Sequence, residues 1–192
     1  MTINILQKVQ QNLEYPALLK VDANTQEVVN GHNSRAEEPF SQAAIPAIII
    51  ALYEYSRTDE GAKRILNGGI TDNWLLLIFN DHTSKAIEKV SSYSKRPFDK
   101  TLANMNAIAN ECIRIIKEQV GSEGTILHVK ELLANQRIEV LPYLPASMQM
   151  GELLNDATLD DRTNKMEGPI STLMHIIGNG LSGSDVKEEK SS

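Results

Sequence analysis

The sequence predicts an all-α protein, a multihelical array around one buried central helix. Three observations lead there. Apolar residues recur at three- and four-residue steps through most of the chain, the period of a helix that turns one face inward. Sustained strand-type alternation is nearly absent. The run from Phe40 to about Tyr55 is apolar on nearly every side, which suits a helix enclosed by others and not one lying on a surface.

In chain order, Ile3, Leu6, Val9 and Leu13 share one face of a first helix, and Pro16 marks either its end or the first turn of the next. Asp22 to Glu38 is polar, contains the turn dipeptide Asn30-Gly31 and reads as a mostly exposed connection with room for one short helix. The enclosed helix follows, with Pro46 expected to start or kink it. Thr58 offers a capping hydroxyl and Asp59 and Glu60 first-turn carboxylates, which satisfy free amides and suit the positive end of the macrodipole. That short helix stops at Gly68-Gly69. Thr71 to Asn80 encloses the apolar run Trp74 to Phe79, which fits a buried strand or a buried helix, and its context favours helix.

Ser84 to Ser94 forms a weaker amphipathic helix before Pro97. The clearest helix runs from Phe98 to Val120, where Leu102, Met105, Ala109, Cys112, Ile113, Ile116 and Val120 trace a stripe that Gly121 stops. Another begins near Thr125 and ends before Pro142. Ile138 to Leu144 also alternates like a strand, but Pro142 and Pro145 argue against one. A short helix is expected around Gln149 to Asn155, and a last one from Pro169 through Ile177 on Ile170, Leu173, Met174 and Ile177.

The 192 residues, 41% hydrophobic and 23% charged, suit one domain over residues 1–182 with a polar tail at 183–192. Nineteen Lys and Arg against 25 Asp and Glu give a net charge of −6, which opposes docking to nucleic acid or anionic lipid. The longest apolar run, Ala43 to Leu52, has ten residues, short of the roughly 17–25 that a bilayer span needs. No membrane insertion is expected. The single Cys112 and the lack of a secretory leader point to the cytoplasm.

Each motif with chemical potential has a structural alternative, and the alternative is preferred throughout. Gly178 to Gly183 fits G-x-G-x-x-G, but a helix enters it where the dinucleotide fingerprint needs a strand. Gly68-Gly69 lacks the Lys-Ser/Thr ending of a phosphate loop. The histidines at 32, 82, 128 and 175 show no zinc spacing. His128 and Glu131, one helical turn apart, supply two ligands where a site needs more. Asp81 and His82, followed by Thr83 and Ser84, invite a triad reading, yet triad members meet from separated parts of a fold. Cys112 lies in an apolar stripe, where a thiol is inert. Glu37-Glu38, Asp59-Glu60 and Asp160-Asp161 stand at expected helix starts and read as caps. No catalytic, cofactor or metal residue is assigned.

The run FSQAAIPAIIIALYEYSRTDEGAKRILNGG, Phe40 to Gly69, resembles the signature of the bacterial YidB-like family, in which an apolar helix with A-x-P-A and an aliphatic residue leads to a polar cap and E-G-A. SMQMGELLN, Ser147 to Asn155, is similar to that family's C-terminal G-(hydrophobic)-(polar)-L-L segment. The resemblance implies a multihelical array around a buried central helix. The segment TDNWLLLIFNDHTSKAIEKVSSYS stands where the family often has Gly-rich linkers. The family has no established activity, so no functional residue is carried over.

The function expected is a non-catalytic protein-interaction or scaffold module with an unidentified protein partner, compatible with a homo-oligomer. The alternative is a binder of an apolar small molecule in a cavity between helices, lined by Trp74, Phe79 and Met105.

Overall fold

The computed structural model describes residues 4–22 and 39–156. Eight α-helices account for most of them: α1 Ile5–Asn12, α2 Pro39–Ser56, α3 Asp59–Asn67, α4 Trp74–Phe79, α5 Thr83–Ser94, α6 Phe98–Val120, α7 Ile126–Val140 and α8 Met150–Leu154. Short 3-10 turns at Asn80–His82, Leu141–Tyr143 and Ala146–Met148 link the later helices. The fold is all-α and multihelical. Among the described residues no strand forms; Val21 makes one extended contact, its N–H donating to the Pro142 carbonyl at 2.8 Å. The alternation at Ile138 to Leu144 is therefore split between the end of α7 and a 3-10 turn. The connection at 23–38, the helix expected at 169–177 and the tail at 183–192 lie outside the described residues.

α2 is the axis of the array. It packs against α1 and against each of α3 to α8, which is why residues all round it are apolar. Phe40, Ile45, Ile48, Ile49, Ile50 and Leu52 are sealed from solvent, and burying each such side chain contributes about 1.5–3 kcal/mol. Pro39, not Pro46, takes the first helical position, and the helix runs on through Pro46. A proline costs an interior hydrogen bond, a loss made up here by enclosure on all sides.

Local signals set the other boundaries. Thr58 Oγ1 accepts from Gly61 N at 3.0 Å at the start of α3, and Asn73 Oδ1 accepts from Leu76 N at 3.3 Å at the start of α4. Gly121 takes a φ of 70° after α6, a conformation that favours glycine. Lys95 closes α5 in the left-handed region, two residues ahead of the proline expected to end it. α6 buries more than the predicted stripe. Ile108 and Ile115 join it, because α6 packs against α1, α2, α3, α4, α5 and α7 together.

Two buried glutamines tie distant segments to the array. Gln42 in α2 donates to the carbonyls of Leu19 (3.0 Å) and Tyr143 (2.7 Å) and accepts from Leu19 N (2.9 Å). Gln136 in α7 accepts from Ile5 N at 2.7 Å.

Candidate functional site

A cleft of about 590 Å³ opens where the last turn of α2, the α4–α5 junction and α8 converge. Its wall is apolar on one side, with Leu77, Ile78, Phe79, Leu153 and Leu154, and polar on the other, with Glu54, Thr58, Asp81, His82 and Asn155 among others. The α4–α5 junction turns sharply because Asn80 takes φ 47° and ψ −127°, backbone that non-glycine residues seldom adopt and that costs energy to hold. Thr83 steadies the turn, its hydroxyl donating to the Asn80 carbonyl at 2.6 Å with the Leu75 carbonyl at 3.3 Å.

Glu54 is the unusual group here. Its side chain is 11% exposed, and Oε2 accepts from Arg57 Nη1 at 2.8 Å. Oε1 is shut off from water and accepts no hydrogen bond. Burial pushes the Glu54 carboxyl above the ordinary carboxylate range, opposed by Arg57 and reinforced by the negative charge of Asp156. Two ionised carboxyl groups offer only acceptors to each other, so their proximity favours the protonated form of one of them.

Asp81 and His82 both line the cleft. Asp81 is exposed and His82 half-buried, and the nearby Thr83 hydroxyl is directed at a backbone carbonyl. The four-residue group thus forms a turn and one wall of a cleft, and no nucleophile–base–acid relay is assembled from Asp81, His82 and Thr83. Of the three residues expected to line an internal cavity, Phe79 lines this cleft. Trp74 and Met105 are fully buried, and the Trp74 indole N–H donates to the Gly69 carbonyl at 2.9 Å.

His128 and Glu131 part company. His128 closes a capping box on α7, its N–H donating to Thr125 Oγ1 and its Nδ1 accepting from Thr125 N, each at 3.3 Å, while Glu131 faces solvent. Among the described residues no group of three or more His, Cys, Asp or Glu is gathered for a metal ion. Cys112 is sealed in the core, and burial pushes its thiol far up. Asp59 and Glu60 sit in the first turn of α3 as expected, and Asp59 accepts from Lys130 Nζ at 2.6 Å. Gly68 packs its backbone against Trp74 and Arg64, where a Cβ would stand 2.7 Å from the Arg64 carbonyl oxygen. His32, His175, Glu37-Glu38, Asp160-Asp161 and Gly178 to Gly183 lie outside the described residues.

A second feature is the outer face of α7. Val129, Leu133, Gln136 and Val140 are buried, whereas Leu127 is 60% and Ile138 71% exposed. Leu127, Ala134 and Ile138 are spaced i, i+7, i+11 and so fall on one line of the helix surface. Exposed Glu131 and Glu139 flank that line on one side; Lys130 and Arg137 flank the other, engaged with Asp59 and with the Tyr53 ring (5.5 Å). A second groove, of about 320 Å³, lies between α1, the Tyr15–Leu18 segment and Tyr143, and no carboxylate or cationic side chain lines it.

No family model, curated protein or solved structure matches the chain. No described helix is long and apolar enough to cross a membrane.

Proposed function

We propose that the protein is a non-catalytic helical interaction module that docks an amphipathic helix of another protein on the outer face of α7. The observation that supports this reading is the apolar line Leu127–Ala134–Ile138 on a helix whose opposite face is already buried. Scattered surface leucines are ordinary, but Leu127, Ala134 and Ile138 share one line of the α7 surface, which the apolar face of an amphipathic partner helix can meet. Charge selects the occupant. Glu131 and Glu139 form an acidic rim whose neighbours Lys130 and Arg137 are engaged within the fold, so a partner helix with basic residues along one edge is complementary. An antiparallel pairing of two α7 helices would set the two acidic rims against each other, which favours a different chain over a second copy.

A labelled amphipathic peptide with leucines on one face tests this, in two versions that carry lysines or glutamates along the flank. Fluorescence anisotropy should show the lysine version binding and the glutamate version not, with the affinity lost in the Leu127→Ser/Ile138→Ser double variant. Equal binding of both versions, or binding indifferent to the double variant, contradicts the reading.

A second reading, capture of an apolar small molecule, is favoured by Leu77, Ile78, Phe79, Leu153 and Leu154 in the wall of the cleft. Kinship with the YidB-like family is proposed on the Phe40–Gly69 and Ser147–Asn155 runs. A cytoplasmic setting is proposed on the lone cysteine, free and buried in the core.

A further inference from the structure

We propose that the capping box at the start of α7 is a proton-sensitive latch: acidification removes the acceptor at His128 Nδ1 and loosens the α6–α7 connection and the helical turn that carries Leu127. The latch stands on the cap geometry. Only its consequence for partner binding rests on the docking face proposed above.

A capping box pairs an N-cap Ser or Thr with a Glu or Gln three residues on, whose side chain reaches back to the N-cap amide. Here His128 fills the place of the Glu or Gln. Thr125 Oγ1 accepts from the His128 backbone N–H, and the Thr125 N–H donates to His128 Nδ1, each at 3.3 Å. Histidine is the side chain that changes its charge between about pH 5 and 8. Nδ1 accepts only while it carries no proton, so the neutral ring keeps its proton on Nε2. A second proton goes to Nδ1, the atom that holds the Thr125 N–H, and turns it from acceptor into donor. The imidazolium charge also falls in the first turn of α7, at the positive end of the helix dipole, where a cation is unfavourable. Both effects have one sign: the latch is closed while His128 is neutral and opens as pH falls.

Little else holds this end of the helix. Gly121, Ser122, Glu123 and Thr125 are exposed, and the connection is tied within itself by Gly124 N donating to the Gly121 carbonyl at 3.2 Å. Leu127 is 60% exposed, and the first buried residue of α7 is Val129. Exposed Glu123 and Glu131 stand before the cap and one turn beyond it. Of the packed elements, α2 brings Glu54, held by Arg57; α3 brings Asp59, held by Lys130; α6 brings Lys117 and Glu118, held by the Leu66 carbonyl and Arg114. Among the described residues none of these groups is bonded to the imidazole, whose partner is Thr125.

Amide hydrogen exchange of the full chain, followed by NMR from pH 8 to pH 5 and corrected for the intrinsic effect of pH on exchange, tests the latch. Protection at Thr125 and its neighbours should fall roughly threefold to tenfold, the worth of a capping bond, as the His128 ring resonances titrate. Leu133 and Val140 should hold theirs. His128→Gln, which keeps an acceptor that does not titrate, should stay protected throughout, and His128→Ala, which offers none, should be weakly protected throughout. A pH response shared by His128→Gln, or protection that stays constant while His128 titrates, overturns the proposal. Anisotropy with the lysine-flanked peptide reads the consequence: binding should weaken at pH 5 in the wild type and not in His128→Gln. Binding that ignores pH while exchange responds overturns the link to docking, whereas no binding at either pH contradicts the docking face and leaves exchange to decide the latch.

Discussion

Gln136 of α7 caps the first amide of α1: its Oε1 accepts from Ile5 N at 2.7 Å between residues 131 positions apart. The first amides of a helix have no partner within it, and this one is buried, so a polar side chain from another helix must meet it. Gln136 is itself fully buried. Replacing it by Leu leaves the Ile5 amide without an acceptor, and the expected loss of stability is about 1–3 kcal/mol. Urea unfolding of Gln136→Leu measures it; an unchanged midpoint would show that α1 is dispensable to the cooperative unit.

The acid titration of stability should carry two opposite signs. The Glu54 carboxyl is raised from its ordinary value of 4.5 by burial. It therefore contributes stability that is fully present below that value and lost as pH rises through its folded pKa. Glu111 is lowered, by Arg114 first, with help from Asn12, so its contribution is present above the ordinary carboxylate value and lost as pH falls. Across the acid range on either side of 4.5, the wild type should lose stability relative to Glu54→Gln as pH rises above that value and relative to Glu111→Gln as pH falls below it. Thermal unfolding of the three proteins across that window checks both slopes; matching slopes for the two variants contradict the assignment.

Much of this architecture is legible in the sequence wherever a boundary is punctuated locally. Pro97 and Gly121 bracket α6 at the residues where it starts and stops, and Thr58 with Asp59 and Glu60 announces α3. The enclosure of α2 follows from its composition, since only a helix surrounded by others can hide Ile45, Ile48, Ile49 and Ile50 at once. The cleft is a different matter. Its walls come from residues near 54, 80 and 154, and no local pattern joins them. Asp81 and His82 draw notice because they are adjacent, whereas Glu54 passes unremarked, although it is the first charged residue after the apolar run that begins at Phe40. That interruption is the signal by which it could be found. The docking face is legible only once the core is known, because α7 carries apolar residues on two faces and the sequence does not say which one is already covered.

Capping at α3 offers a local test. Thr58 Oγ1 accepts from Gly61 N at 3.0 Å, and Thr58→Ala should cost about 1 kcal/mol. Thr58→Asn, which keeps a side-chain acceptor, should recover most of it. Chemical denaturation of both variants decides the point, and equal losses would assign the effect to packing beside Tyr55 instead of to the cap.

Cys112 should behave as a buried hydrophobe. It is fully sealed in α6 and burial pushes its thiol well above the ordinary value of 9.0, so the thiolate needed for reaction is scarce in the folded protein. Labelling by an aromatic disulfide reagent should be slow under native conditions and should accelerate in urea in step with unfolding. Rapid native labelling would mean that α6 opens locally.

The proposed docking rests on the outer face of α7, and a photo-crosslinking amino acid placed at Ile138 in the living cell interrogates that face most directly. Sequencing of the crosslinked peptide by mass spectrometry should return a segment of a different protein, amphipathic and basic along one edge, with the yield lost on Leu127→Ser. A crosslinked peptide drawn from this chain's own sequence, or a yield indifferent to Leu127, would contradict it.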